Sequence, residues 1–451
     1  QTSRTPTVRP TPSAASSATS SRPRTLRGAR RGDGYPASAR DATRTRGVRC
    51  VSIEIVGSAL TDVYAALDAP RARLAARDSA IIGAQIAVSE IPAPSGQEHQ
   101  RAAWIAERFR TLGLSDVRTD AAGNVIARRP GAADEPSVAV CAHLDTVFPL
   151  STDLQVHRDG DRLVGPGIGD NGRGLVAMLA IAQEIDGVTL RTRAPVDFVA
   201  TTGEEGLGDL RGAKEFFAAA AEPIARAIAI DGPGDERVVH RALGSRRYRV
   251  TFRAHGGHSW AAYGQPNPVH AAAAAVAKLT TIPLPHDPRT TLTVARIGGG
   301  MAINAIPQDG WFEVDVRSTS ASTLEWIDRE MRRVLQAAEK AENDGRITGA
   351  TPLICTMALI GDRPCGDVSV DHPLVTAAIE ATRLIGREPD LAAASTDANV
   401  PISLGVPAIA VGAGGRGGDA HTVGEWYENT DGPRGLARAL AIVVAAAGLA
   451  E

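Results

Sequence analysis

Three short segments carry the first residues able to do chemistry. In Cys141-Ala142-His143-Leu144-Asp145-Thr146, a histidine and an acid stand two apart. On an extended chain such residues point the same way, so one can ligate a metal while the other orients it. Taken alone, the pattern is equally a capped strand end. In Gly165-Pro166-Gly167-Ile168-Gly169-Asp170-Asn171-Gly172 a glycine-dense loop runs from an acid straight toward a helix. Glycines there let backbone pass close to Asp170, although an isolated Asp170 also reads as a helix N-cap. Thr201-Thr202-Gly203-Glu204-Glu205-Gly206 places two adjacent acids after an apolar run. Neighbouring side chains diverge, so one carboxylate can hold a metal while the other activates water; a solvated loop pair is the plainer alternative.

Two more segments complete the set. Asp231 ends the apolar run Ala229-Ile230, and His421 sits in the glycine-rich loop Gly417-Gly418-Asp419-Ala420-His421-Thr422. Each of these residues by itself is ordinary. Together, His143, Asp170, Glu205, Asp231 and His421 are spread over five loops that follow strand-like runs, where open α/β sheets keep their sites. Two histidines and three carboxylates, one of them shared, suit two divalent ions, each with three protein ligands and a bridging water.

The elements that must position them follow from periodicity. Helical spacing covers 62–91 and 98–113, with Trp104, Ile105, Phe109 and Leu112 on one face and Gly113 as a stop. Strands are expected over 124–128, 137–142, 196–201 and 227–230, and helices over 174–185 and 212–221. The run 137–142 is apolar throughout, which marks a strand buried on both faces of a helix-covered sheet. From 246 to 359 the order changes to strand, helix, strand, strand, helix, strand, a split βαβ arrangement. The α/β pattern resumes near 363, with a helix over 373–385, a strand over 408–411 and a C-terminal helix. The expected architecture is an α/β catalytic domain, a helix-covered mixed sheet of residues 62–242 and 363–451. An α+β, ferredoxin-like domain of residues 243–362 interrupts it.

Composition narrows the class. The 451 residues are 43% hydrophobic and 22% charged, with ten histidines and four cysteines (Cys50, Cys141, Cys355, Cys365) that form no CxxC pair. No apolar run reaches the ~18–20 residues of a membrane helix. The cysteine pattern fits a reducing, cytoplasmic setting. Residues 1–49 hold eleven arginines against Asp33 and Asp41, a net charge of +9, and leave −11 for the rest. Pro6, Pro10, Pro12, Pro23 and Pro36 break this tail, which has Tyr35 as its sole aromatic residue. A disordered basic tail over 1–60 is expected. Its first 50 or so residues are read as lying upstream of the true start, because the first methionine is Met178. Lysine occurs only at 214, 278 and 340, so arginine richness is a compositional habit and argues for no nucleic-acid partner.

With these residues in hand, the chain resembles the di-zinc metallopeptidases and amidohydrolases that include peptidase T, carboxypeptidase G, aminoacylase, acetylornithine deacetylase and succinyl-diaminopimelate desuccinylase. The resemblance runs over about 75–451. It implies that His143, Asp170 and Asp231 hold one metal and Asp170, Glu205 and His421 the other, with Asp170 as the bridge. It further implies that Asp145 orients His143, that Glu204 is the general base, and that the peptide bond after Asp170 is cis. The metal would be zinc, with cobalt or manganese as alternatives. Residues 243–362 match the family's lid and dimerisation domain. There His258, in Ala254-His255-Gly256-Gly257-His258-Ser259, would contact the reacting carbonyl from the partner of a homodimer. Asn304, Arg317 and Arg363 would hold substrate, with Arg363 on its carboxylate, and Ser395-Thr396-Asp397-Ala398 would line the specificity pocket.

The activity so implied is hydrolysis of an amide bond in a small peptide with a free carboxylate, in the manner of peptidase T or a carboxypeptidase. The alternative substrate is an N-acyl amino acid. An inactive binding protein on the same fold is the alternative from another class, and it would be expected to lack at least one ligand or the base. No membrane partner is expected.

Overall fold

A computed structural model of the chain describes residues 60–220 and 222–450. The basic tail and the reading of its start lie outside the described residues.

The strand expected over 137–142 is Ser137–His143, buried along its whole length. It sits mid-sheet, flanked in parallel by Val196–Thr201 and Ile224–Ile230, both largely buried. Strands covered on both faces have no polar face to alternate, hence their continuous apolar runs. Outward from these three, the nine-stranded mixed sheet continues on one side through Val125–Arg129 and Ser115–Thr119. On the other it continues through Ala408–Val411 and Arg237–Ala242. The last strand pairs with both Gly366–Asp367 and Asp390–Ala394. The helix Gly172–Glu184 is buried at nearly every position, as is Gly432–Ala447. Both belong to one large hydrophobic core with the central strands. Each fully buried Leu, Ile or Val there contributes about 1.5–3 kcal/mol.

The second sheet has the order Thr291–Gly299, Asp309–Ser318, Gly244–Arg253, Ile354–Arg363, with all neighbours antiparallel. The helices Pro268–Leu279 and Ala321–Asp344 connect its strands in ferredoxin-like order. Burial alternates strictly along Asp309–Ser318. Phe312, Val314 and Val316 share a separate core with helix residues such as Ala275, Leu324 and Met331, leaving Trp311, Glu313, Asp315 and Arg317 on the open face. The fold is therefore an α/β sheet domain interrupted by an α+β unit.

Three differences from the sequence reading have physical causes. The segment read as one helix over 62–91 is three, Leu60–Ala66, Asp68–Ala76 and Asp78–Ser89. Continuous helical periodicity does not reveal breaks at which residues such as Arg77 leave helical geometry (φ −99°, ψ 7°). The last strand of the inserted sheet runs to Arg363, four residues beyond expectation, across a register shift between Leu359 and Gly361. A small sheet of His157–Asp159, Arg162–Val164, Trp426–Glu428 and Arg416–Gly418 was not foreseen, because two- and three-residue strands carry no periodicity.

Candidate metal centre

The three central strands run parallel, so the residues that follow them emerge at one edge of the sheet. His143 ends its strand, Glu204 and Glu205 follow the second, and Asp231 follows the third. The fourth segment is the loop before Gly172–Glu184. Its helix is capped by Asn171, not by Asp170: Asn171 Oδ1 accepts from Gly174 N at 3.0 Å. The same oxygen accepts from Gly232 N at 3.0 Å, and Asn171 Nδ2 donates to Ile230 O at 2.9 Å. Asn171 thus ties the Asp170 loop to the strand end bearing Asp231. This close approach needs Gly174, where a Cβ would meet Asn171 Oδ1 at 2.0 Å and Ile230 O at 2.5 Å. The Asp170–Asn171 peptide bond is cis.

His143, Asp170 and Asp231 form one group whose ligand atoms lie within 4.8 Å of one another, and Asp170, Glu205 and His421 form a second. His143 Nε2 is 3.0 Å from Asp170 Oδ1 and 3.8 Å from Asp231 Oδ1. His421 Nε2 is 3.1 Å from Asp170 Oδ2 and 2.8 Å from Glu205 Oε1. A further grouping of His143, Glu204 and Glu205 puts Glu204 beside the others.

His143 Nδ1 lies 3.0 Å from Asp145 O, a carbonyl that can only accept, so Nδ1 carries a hydrogen. In neutral imidazole Nε2 then presents a lone pair. That lone pair faces Asp170 Oδ1, a buried oxygen with no hydrogen-bond partner among the described residues. The 3.0 Å approach is thus contact without hydrogen-bond geometry. Two acceptors converging in a buried site, with Asp145, Glu204, Glu205 and Asp231 around them, fit a cation.

The titration of the groups expresses the same field. Burial would lower His143, but the negative charge of Asp145, Asp170 and Asp231 favours a cation here, as a proton on the ring or a metal ion beside it, and holds the ring well above the usual histidine value. Hydrogen bonds to the Asp170 and Glu205 carboxylates push His421 up to about 10. Burial would raise Asp170, yet the two histidines bring it below the ordinary carboxylate range. Burial raises Glu204 well above the usual glutamate value, with Arg363 and His143 opposing.

Asp145 stays beside His143 and also reaches the next loop. Its carboxylate is 3.7 Å from His143 Nδ1 and accepts as well from Glu204 N and Glu205 N, both at 2.9 Å, and from Ser95 Oγ at 2.5 Å. It therefore holds the loop of the two glutamates, while its backbone carbonyl orients His143. Glu204 and Glu205 are 5% and 6% exposed, so they are no solvated pair. Arg363 is buried: Nη1 donates to Glu204 Oε1 at 3.1 Å and to Ser395 Oγ at 3.2 Å, and Nη2 donates to Glu204 O.

The remaining expected residues stand apart. His258 is exposed in the short pairing of Gly257–His258 with Ala305–Ile306, exposed Asn304 directly precedes that pairing, and His258 Nδ1 accepts from Trp260 N at 3.2 Å. Arg317 pairs with Asp315 at 2.7 Å and lines a cavity of about 570 Å³ with Arg241, His286 and Arg289. Sequence reasoning missed Ser95, Asn171 and Glu425. Asn171 carried a signal, a capping residue directly before a helix. Glu425 accepts from Gly167 N, Gly169 N and Asp170 N, and had none.

Fold and site together define an α/β protein with a candidate two-metal centre at its strand ends. The family model described as Peptidase family M20/M25/M40 matches residues 139–446, and the chain belongs to that family. A probable carboxypeptidase of Aspergillus terreus is 28% identical over 280 residues, 56% of this chain. The chain spans only 64% of that relative's length. A succinyl-diaminopimelate desuccinylase of Corynebacterium glutamicum is 25% identical over 336 residues, 72% of this chain and 86% of the relative. The crystal structure of a Bacillus subtilis protein, described as a dinuclear metal-binding peptidase, superimposes with a TM-score of 0.59 at 17% identity. That match covers 82% of this chain and 98% of the other.

Proposed function

We propose that this protein is a metal-dependent hydrolase that cleaves an amide bond in a small peptide with a free carboxylate, as an exopeptidase. The observation that carries the reading is the pair of ligand groups sharing Asp170, whose buried Oδ1 lacks a hydrogen-bond partner among the described residues, next to buried Glu204. His143, Asp170 and Asp231 would hold one divalent ion and Asp170, Glu205 and His421 the other. Zinc suits two imidazoles with carboxylates, and cobalt or manganese would serve. Bound there, the two ions would supply the positive charge that acidifies water and polarises the carbonyl.

Glu204 takes the proton of the attacking water and returns it to the departing amine. Arg363 orients Glu204 through both its side chain and its backbone carbonyl. A substrate carboxylate at Arg363 competes with Glu204 for that guanidinium, and Arg317 offers a more exposed second partner. His258 donates to the carbonyl oxygen as charge develops on it, with Asn304 beside it. Exposed Trp260, Tyr263, Met301 and Ile303 flank His258 and Asn304, which supports insertion of this tip into the site of a second copy, in a homodimer.

The probable carboxypeptidase among the relatives supports a peptide substrate. The desuccinylase supports a second reading, deacylation of an N-acyl amino acid. Dipeptides, tripeptides and N-acyl amino acids offered with Zn²⁺, Co²⁺ or Mn²⁺ decide between them. Turnover of none, by protein that binds no metal, overturns both.

A further inference from the structure

Glu425 lies four residues beyond His421 and is 2% exposed. Its Oε1 accepts from Gly169 N at 2.8 Å and Asp170 N at 2.7 Å, and its Oε2 from Gly167 N at 2.8 Å. Its backbone carbonyl accepts from Gly165 N at 2.8 Å. One buried carboxylate thus gathers three amide hydrogens of the 165–170 loop, and the backbone of Glu425 docks the start of that loop as well. The packing leaves no slack: a Cβ at Gly169 would come within 3.0 Å of Glu425 Oε1 and 3.4 Å of Pro233 Cδ.

Asp170 is therefore held from both sides. On its carboxyl side Asn171 ties it to the strand end of Asp231. On its amino side Glu425 ties it to the loop that carries His421. These two ties correspond to the two ligand groups, since Asp231 belongs to one and His421 to the other.

We propose that Glu425 is a positioning residue that sets the distance between Asp170 and His421, and so governs the second metal position independently of the first. The inference rests on the two-metal reading above. Replacing a carboxylate by an amide turns one acceptor into a donor facing backbone N–H groups. In Glu425→Gln the Asp170 loop then parts from the His421 loop, while the Asn171 tie persists. Residues that orient metal ligands typically change metal affinity 10–100-fold when altered.

The test is a titration of metal-free full-length protein with Co²⁺, followed by visible absorption and by calorimetry, so that the readout is binding and coordination rather than turnover. Wild type is expected to take two ions. Glu425→Gln is expected to keep one at wild-type affinity and bind the other roughly 10–100-fold more weakly. Glu425→Asp, which keeps the charge but is one methylene shorter, falls between and serves the same comparison should the glutamine variant fail to fold. Arg438→Met is the control for general destabilisation: Arg438 is fully buried but bonds Thr382 Oγ1 and Arg237 O, and this variant is expected to bind both ions normally. Two ions at wild-type affinity in a folded Glu425 variant overturn the inference. So does equal weakening of both positions. A wild type that binds no metal overturns the proposed function, and this inference with it.

Discussion

Glu204 and Glu205 are chemically identical neighbours with opposite assigned roles, and Glu204→Gln separates them. The side chain of Glu204 is buried against Arg363, with Nη1 at 3.1 Å. Loss of the charge leaves a buried guanidinium without its anionic partner, a change that costs about 3–5 kcal/mol where nothing else compensates. Here Arg363 keeps Glu204 O and Ser395 Oγ as acceptors, and a glutamine oxygen still accepts, so about 1–2 kcal/mol is expected. That lowers the unfolding midpoint without unfolding the protein. Metal binding should survive, because His143, Asp170, Glu205, Asp231 and His421 are untouched. Turnover should fall ~10²–10⁴-fold, the usual contribution of a general base. Glu205→Gln should instead weaken metal binding, since Glu205 faces His421 at 2.8 Å. The assay pairs metal content by elemental analysis with steady-state kinetics and thermal unfolding. Equal metal loss in both variants, or turnover of Glu204→Gln within a few-fold of wild type, refutes the division of roles.

Amidating the substrate's C-terminus should lower kcat/KM roughly 30-fold or more, about 2 kcal/mol, because a binding-site charge loses its partner; equal cleavage of amide and free acid would remove the exopeptidase reading. If His258 acts across a dimer interface, mixing inactive His258→Ala with inactive Glu204→Gln under subunit exchange should restore activity. The yield is up to about a quarter of wild type, since half the dimers are mixed and each has one intact site. No recovery after demonstrated exchange would place His258 in its own subunit's site. Asp397 is pushed up to about 6 by burial, against a hydrogen bond from Thr201. Its unfolded value is about 3.9, so the native state resists ionisation, and stability should be greatest below pH ~4 and fall as pH rises toward ~6. Asp397→Asn removes that decline, so in urea unfolding of metal-free protein the variant should gain about 2 kcal/mol on wild type between pH 4 and 7. A constant difference across that range would show that Asp397 ionises as freely inside the protein as outside.

Much of this was legible in the chain itself. Residues 137–142 read as a strand buried on both faces because every side chain in that run is apolar or small, and parallel strands buried in this way must end together. That alone suggested that His143, Glu204, Glu205 and Asp231 share one edge. The inserted unit announced itself by a change in element order, and alternation along 309–318 is visible in the sequence because one face meets helices while the other stays open.

What the sequence could not show is which groups hold the candidate ligands in place. Asp145 stands two residues from His143, and local spacing paired them. Folding also carried the Asp145 carboxylate, still 3.7 Å from His143 Nδ1, to amides 59 and 60 residues away, at Glu204 and Glu205. Arg363 and Glu204, 159 residues apart, meet because the last strand of the inserted sheet returns beside the Glu204 loop. Glu425 reaches amides up to 258 residues earlier. Periodicity reports which side of an element is buried, a property of neighbouring residues. A carboxylate's partners depend on which distant backbone donors are left unpaired once the sheet has formed, and only the packed chain decides that.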